Sequence, residues 1–305
     1  MSDFGELVSL LLEKPCEIES VEVPDSLNGV YELSPFQDLT TGQDYCVLYS
    51  KSTTQPWGTV IVNRDPDARN LSIDSIHPLF DRFTGELSMA VFSKTRAQTF
   101  LLSGSHRHAM DEPSPCSGDD NHFRISDPAH APSVLLSAAR AINQYYRNYD
   151  LDYTAIQLHG MSKLSCPGVD AFLSYGVDSS SPGLGKEKID IFRDELQAVF
   201  EDVTFTIPGE TPECHLLGTG NIIGKMINGV EKGNICNSNV TASVHSGHFL
   251  HIEIKLHLRK LEKVAFDSWG TAIVNAYDRM QTAFSPPASA SKRQHGRDTS
   301  MAEDL

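Results

Sequence analysis

Apolar residues recur along this chain at two spacings, one typical of strands and the other of helices. Short apolar or alternating runs predict strands, at residues 45–50, 59–63, 71–76, 98–103, 153–158 and 247–258. Longer segments with apolar residues three and four positions apart predict helices, at residues 1–20, 86–97, 133–149, 186–200 and 261–284. Because strands and helices alternate, we expect an α/β fold of three α/β/α layers with a mixed, mostly parallel central sheet.

The predicted elements divide the chain into a lead-in, one domain and a tail. Residues 1–40 hold the first helix and a loop-rich stretch, and residues 41–284 hold the alternating elements of a single α/β domain. After residue 284 the composition changes to Pro, Ala, Ser, Lys and Arg, so we expect a disordered tail at 285–305. Two stretches with little apolar periodicity, 111–132 and 208–240, are predicted to be long loops.

Composition and charge exclude several classes of function. Hydrophobic residues make up 40% of the 305 residues and charged residues 21%, which is ordinary for a globular protein. The formal net charge of −15 would repel nucleic-acid phosphates, so nucleic acid is not an expected partner. No apolar run reaches the roughly 18 residues that span a bilayer, and the start of the chain lacks a basic-then-apolar leader. We therefore expect no membrane partner and a cytoplasmic location.

The cysteines agree with that location. The chain has six of them, far apart and without a CxxC pair, which argues against a zinc site built from thiolates. In a chain without an export signal we expect them to be reduced thiols.

Histidines stand at or just beyond the ends of three predicted strands. They are His77, His106 and His159. Ligands of α/β sheets bind beyond the carboxyl ends of the strands, so these imidazoles lie where a site is expected. Two imidazoles and one carboxylate form a known ligand set for catalytic zinc, with a fourth position left to water.

Acidic residues supply the other groups that such a site needs. Asp81 follows His77 by four positions and Glu86 by nine, and either one is a candidate for the acidic ligand. Glu253 lies in a late alternating strand and is the candidate general base. Alternation places it on the same face as His251, and that face is turned either to the site or to solvent. The remaining histidines near His251, and His251 itself, are interpreted as surface positions.

This arrangement resembles the zinc carboxypeptidase superfamily, and it looks closest to the branch of N-formylglutamate amidohydrolase and poly-γ-glutamate hydrolase. The resemblance covers roughly residues 58–260 as scattered short motifs. These are a strand ending near residue 77, the run Ile156-Gln157-Leu158-His159-Gly160, and a late strand that carries Glu with an Arg downstream. The resemblance implies a phosphorylase/hydrolase-like fold.

The same resemblance implies a catalytic zinc ion and its ligands. Carried over by position, His77, Asp81 and His159 become the Zn²⁺ ligands and Glu253 becomes the base. The family has Glu three residues after the first His, whereas this chain has Phe80 there. Asp81 or Glu86 must therefore replace that acid.

The substrates implied by the resemblance carry a free carboxylate. Arg107 is the first candidate to bind it, because Arg holds carboxylates with two parallel hydrogen bonds. His106, Asn221 and Arg259 are further candidates for substrate binding, and Arg64 is a weaker one.

Three functional hypotheses follow. The first is zinc-assisted hydrolysis of an amide in a small acyl-amino acid or in a peptide with a free carboxylate, which makes a small molecule or peptide the expected partner. The second is a catalytically inactive binding or regulatory protein on the same fold, because Phe80 stands where the family has an acid. The third is a cysteine hydrolase that pairs Cys166 or Cys236 with a histidine.

Overall fold

A nine-stranded mixed sheet forms the centre of the protein in the computed structural model. The structure describes residues 2–14, 20–54, 56–118, 122–177, 188–240, 245–260 and 263–284. The strands are β1 Tyr31–Gln37, β2 Asp44–Ser50, β3 Thr59–Asn63, β4 Arg69–Ser75, β5 Ala97–Leu102, β6 Thr154–Met161, β7 Ala171–Ser174, β8 Phe205–Thr206 and β9 Phe249–Lys255. Their order across the sheet is β1-β2-β3-β5-β4-β6-β9-β7-β8.

Helices cover both faces of this sheet. They are α1 Ser2–Glu13, α2 Thr84–Thr95, α3 Val134–Asn148, α4 Lys188–Val199, α5 Ile222–Ile227 and α6 Lys263–Phe284. Apolar side chains of α1, α3 and α5 share one buried cluster with one face of the sheet, and those of α2, α4 and α6 share a second cluster with the other face. The expected α/β fold with a mixed central sheet and flanking helices is confirmed.

The parallel part of the sheet lies at its centre. Strands β5, β4, β6 and β9 are neighbours that all run in one direction. Four of the eight pairings among the described strands are parallel and four antiparallel, the latter towards the edges. The carboxyl ends of the four central strands therefore meet at one edge, where the chain places its histidines.

Helix α3 shows how the sequence produces these elements. Ser133 caps its start by accepting a hydrogen bond from the backbone N–H of Leu136 at 3.2 Å. Leu135, Ala138 and Ile142 then recur at helical spacing and are buried against the sheet. The apolar residues whose spacing predicts this helix are thus the ones that pack it against the sheet.

The predicted lead-in contributes a helix and a strand that pack on the rest of the chain. Helix α1 packs against α3, and β1 pairs with β2 as an edge strand of the same sheet. The described residues of the stretch 111–132 form a loop as predicted, whereas α5 lies within the stretch 208–240, which was also predicted to be a long loop. The tail at 285–305 lies outside the described residues.

Two disulfides correct the expectation of reduced thiols. Cys116 is bonded to Cys236 and Cys166 to Cys214, while Cys46 is a buried free thiol. The Cα atoms of the pairs lie 4.5 and 4.6 Å apart, within the range that disulfides require. Such bonds are typical of oxidising compartments, so the cysteines give no support to a cytoplasmic location. Among the described helices, none is both long and apolar enough to cross a membrane.

Removing the disulfide between Cys116 and Cys236 should destabilise the protein. The bond joins positions 120 residues apart, so its loss frees the unfolded chain. We expect the double variant Cys116→Ser, Cys236→Ser to lose about 2–4 kcal/mol of unfolding free energy, measured by urea unfolding under oxidising conditions. With reductant present, the difference in unfolding free energy between the wild type and the variant should largely disappear. Equal stability under oxidising conditions, with free thiols found by peptide mapping at both positions, would show that the bond does not form.

Candidate metal centre

The carboxyl ends of β4 and β6 bring the predicted ligands together. His77 lies two residues beyond β4, and its carbonyl oxygen accepts hydrogen bonds from the backbone N–H groups of Phe80 (3.0 Å) and Asp81 (2.7 Å). This tight turn returns Asp81 to the side of His77. His159 lies within β6, which extends to Met161 and is thus longer than predicted. Because β4 and β6 are hydrogen-bonded neighbours, both imidazoles reach the same space.

Asp81 is the acid that joins the two histidines. Its Oδ2 lies 3.6 Å from Nδ1 of His77 and 3.4 Å from Nδ1 of His159, and the two rings are 5.1 Å apart between centroids. All three side chains are buried, and their ligand atoms lie within 4.8 Å of one another, close enough to hold one metal ion. Glu86, the alternative acid, is exposed on the first turn of α2.

The outer nitrogens of both rings are hydrogen-bonded away from this group. Nε2 of His77 lies 2.8 Å from Oδ1 of Asp127, and Nε2 of His159 lies 2.9 Å from Oε1 of Gln157. An acceptor oxygen at this position requires a hydrogen on Nε2. Each neutral ring then presents the lone pair of Nδ1 to the shared space, which is the arrangement of metal-binding histidines. The donor set therefore fits a metal ion.

Charges around Asp81 favour its ionised form. Burial by itself would raise its pKa, but the nearby imidazoles of His159 and His77 outweigh burial and hold the pKa well below its usual range. Burial also lowers the pKa of His77, and here the hydrogen bond to Asp127 and the nearby carboxylate of Asp81 prevail and raise it. For His159, burial prevails and lowers the pKa. The group thus offers one carboxylate and at least one readily neutral imidazole.

Asp127 holds the site from behind, and the sequence did not reveal it. Its Oδ2 accepts from Nη2 of Arg107 at 2.6 Å and lies 3.2 Å from Nδ1 of His130, while its Oδ1 accepts from the backbone N–H of Ala129 at 3.0 Å. Although burial raises its pKa, the bonds to His130 and His77 hold it well below the ordinary range. The sequence feature that could have indicated Asp127 is its position as an acid in the loop 111–132, which was predicted to lie near the site.

Glu253 is the neighbour of His159 across the β6–β9 ladder. The two residues are in register, and only 14% of the Glu253 side chain is exposed, so the carboxyl faces the site rather than solvent. Its Oε1 lies 3.6 Å from Nε2 of His251, which is buried and not a surface position as expected. Burial, with the nearby charge of Asp81, raises the pKa of Glu253 to about 8. His159, His251 and Glu253 also form a second group with metal-ligand spacing.

The arginine candidates for substrate binding occupy different places. Nη2 of Arg107 is bonded to Asp127, and its guanidinium lies 5.3 Å from the ring of Phe80, at the rim of the site. Arg259 is buried, donates from Nε to the carbonyl of Ile254 at 2.9 Å and from Nη1 to the carbonyl of Arg82, and lies against Gly160. Gly160 leaves room for this guanidinium because any Cβ there would overlap it.

The other three candidates for substrate binding lie at different positions relative to the site. His106 lies at the rim with its ring 5.4 Å from that of Phe80. Asn221 is buried and caps α5, so both ends of its amide already have partners. Arg64 follows β3, which runs antiparallel to β5, and it therefore lies at the opposite edge of the sheet. Direct substrate binding by Asn221 or Arg64 does not fit this arrangement.

Comparisons with known proteins give only distant likenesses. No protein family and no curated protein matches the chain in sequence. One similar solved structure is a protein provisionally described as carboxypeptidase A from Shewanella denitrificans, with 12% identity and a TM-score of 0.37 over 90% of this chain and 68% of that one. Another is a gene product of Agrobacterium tumefaciens, with 11% identity and a TM-score of 0.41 over 70% of this chain and 90% of that one. Similarity this low does not assign the chain to a family.

Replacing Glu253 by Gln should change how stability depends on pH. The metal-free fold raises the pKa of this carboxyl from 4.5 to about 8, so the folded protein keeps a proton that the unfolded chain loses. Between these two values the wild type should therefore lose stability as pH rises, by roughly 1.4 kcal/mol per pH unit. We expect the unfolding free energy of Glu253→Gln not to fall in this way, so the variant should become more stable relative to the wild type as pH rises from 4.5 to about 8.

Urea unfolding of the metal-free proteins at stepped pH measures the difference. The exposed acid Glu86 supplies the control, since Glu86→Gln should follow the wild type. A constant difference between Glu253→Gln and the wild type across the window would contradict the buried, protonated carboxyl.

Proposed function

We propose that this protein is a zinc-dependent hydrolase that cleaves an amide bond in a small acyl-amino acid or a peptide with a free carboxylate. The proposal rests on one observation above the others. Two imidazole Nδ1 atoms and the carboxylate of Asp81 meet in one buried space, with the carboxyl of Glu253 beside them. His77 and His159 come from separate strands, so no local feature of the sequence explains their meeting.

Zinc suits this donor set better than other common metals. Two imidazoles and one carboxylate are a frequent protein ligand set for catalytic zinc, whereas magnesium and calcium prefer oxygen atoms alone. Three protein ligands leave one position for water or substrate. When bound there, zinc would lower the pKa of a coordinated water and polarise the substrate carbonyl. The carboxylate of Asp127 behind His77 would keep that ring in the orientation that binding needs.

Glu253 is the group that moves the proton. Without a cation nearby its carboxyl is protonated at neutral pH, because burial and Asp81 disfavour a second negative charge. A divalent cation between His77, Asp81 and His159 would favour the carboxylate and so create the base where it is needed. The carboxylate then accepts a proton from the attacking water and passes it to the departing amide nitrogen.

Arg107 is the proposed anchor for the substrate carboxylate. About a fifth of its side chain is exposed, and it lies between Asp127 and the half-exposed ring of Phe80. The ring of His106 packs against the same Phe80, so a cationic and aromatic rim borders the site. A small anionic substrate would meet this rim before it reaches the buried ligands.

The two other hypotheses have less support. The inactive-protein hypothesis was motivated by Phe80, but Asp81 occupies the place of the missing acid beside both histidines. The cysteine-hydrolase hypothesis is wrong for both named residues, because Cys166 and Cys236 are in disulfides. A thiol that is bonded to another sulfur is not a nucleophile.

Variants of the ligand and the base should separate binding from turnover. His159→Ala removes one of three ligands, so we expect loss of stoichiometric zinc and of activity together. Glu253→Gln keeps the ligands but cannot accept a proton, so it should retain zinc and lose at least about 100-fold in kcat. Zinc content is measured by inductively coupled plasma mass spectrometry. Activity is measured as hydrolysis of a panel of N-acyl amino acids and short peptides.

The control is Glu86→Gln, which alters an exposed acid outside the group and should leave both readouts unchanged. Retention of zinc by His159→Ala, or full activity of Glu253→Gln against a substrate that the wild type cleaves, would refute the assigned roles. Zinc bound at full stoichiometry without hydrolysis of any member of the panel would favour the inactive binding protein.

A further inference from the structure

A row of buried polar side chains crosses the sheet one level below the metal centre. Asp74, Gln157, His251 and Ser174 stand opposite one another on β4, β6, β9 and β7. Each is at most 4% exposed. Burying four polar groups in one layer is unfavourable unless they are hydrogen-bonded.

Gln157 is the member of this row that contacts a candidate ligand. Its Oε1 lies 2.9 Å from Nε2 of His159 and also accepts a hydrogen bond from Nδ2 of Asn221. A carboxylate, such as Asp127 behind His77, accepts a hydrogen bond in either orientation. An amide does so only when its oxygen, and not its nitrogen, faces the donor. The orientation of Gln157 therefore decides which nitrogen of His159 carries the hydrogen.

Asn221 fixes that orientation. Its Oδ1 accepts hydrogen bonds from the backbone N–H groups of Ile223 (3.0 Å) and Gly224 (3.2 Å) at the start of α5. Backbone N–H groups can only donate, so the amide oxygen of Asn221 must face them and its Nδ2 must face Gln157. Nδ2 in turn can only donate, which requires Oε1 of Gln157 on its side.

Asp74 lies on the opposite side of the same amide. Its Oδ1 accepts from the hydroxyl of Ser72 at 2.7 Å, while Oδ2 is buried without a hydrogen-bond partner in the described part of the protein. Nε2 of Gln157 is likewise buried and without a partner there, and Gln157 is the register neighbour of Asp74. The carboxyl thus supplies an acceptor on the side to which the amide nitrogen points.

We propose that Asn221 and Gln157 are positioning residues that keep the hydrogen of His159 on Nε2 and its lone pair on Nδ1, with Asp74 as the register neighbour on the nitrogen side of the Gln157 amide. The lone pair of His159 is thereby set by backbone N–H groups of α5 through two side-chain amides. The consequence for zinc rests on the proposed function, whereas the position of the hydrogen is a property of the metal-free protein.

Nitrogen-15 NMR of the histidine rings tests the position of the hydrogen without metal. At a pH where the ring is neutral, the wild type should show His159 with its hydrogen on Nε2. The variant Asn221→Asp keeps an oxygen to cap α5 but removes the donor to Gln157, so the Gln157 amide should turn over. We expect the hydrogen of His159 to move to Nδ1 in that variant.

Zinc affinity, measured by competition with a chelator, gives the second readout. Gln157→Leu removes the acceptor and should weaken zinc binding roughly 10- to 100-fold. The control is Thr99→Val, an isosteric change on the same face of the sheet whose hydroxyl is buried without a hydrogen-bond partner among the described residues. It should change neither readout.

The two proposals fail in different ways. If zinc does not bind to the wild type, the proposed function fails while the ring hydrogen still tests the positioning. A hydrogen on Nδ1 of His159 in the metal-free wild type, or an unchanged ring in Asn221→Asp, would overturn the positioning role even if zinc binds. Unchanged zinc affinity in Gln157→Leu would likewise contradict the role of Gln157 as the acceptor for His159.

Discussion

The contact of Asp81 with His77 and His159 is the interaction on which the rest of the site depends. A carboxylate buried this deeply is unfavourable unless a positive charge compensates it, and here the Nδ1 atoms of two imidazoles face it across a space that could hold a metal ion. Their rings come from β4 and β6, so the ladder between these strands must keep its register. A slip by one residue would turn His159 to the opposite face of the sheet and leave Asp81 without half of its partners. The precision of the parallel core is therefore a requirement of the site.

Hydrogen bonds behind the two histidines leave this contact in a form that could hold a metal ion. Asp127 and Gln157 accept from the outer nitrogens of the two rings and leave both inner nitrogens for the shared space. One partner is the carboxylate of Asp127, which is also bonded to Arg107, and the other is the amide of Gln157. The disulfide between Cys116 and Cys236 anchors the loop that carries Asp127 to the stretch that follows α5.

Periodicity in the sequence predicted most of the elements and part of the site. His77 and His159 were found because histidines at the ends of alternating runs mark the carboxyl edge of a sheet, and Asp81 was one of two acids within reach. Asp127 was missed because it lies 50 residues from His77, which no local pattern encodes. Gln157 lies only two residues before His159, but an amide in a strand does not by itself indicate a contact with a metal ligand. The short strand β7 was missed because it is buried on both faces and lacks alternation. The disulfides were missed because the lack of a recognisable export signal led to the expectation of reduced thiols, and the partners lie 120 and 48 residues apart in the chain.

Anomalous X-ray scattering from zinc-soaked crystals, collected at the zinc absorption edge, tests the metal centre most directly. We expect one strong anomalous peak among Nδ1 of His77, Nδ1 of His159 and the carboxylate of Asp81, at roughly 2.0–2.2 Å from each. A peak only at another cluster, such as the rim histidines His106 and His108, or none within bonding distance of Asp81, would contradict the proposed centre.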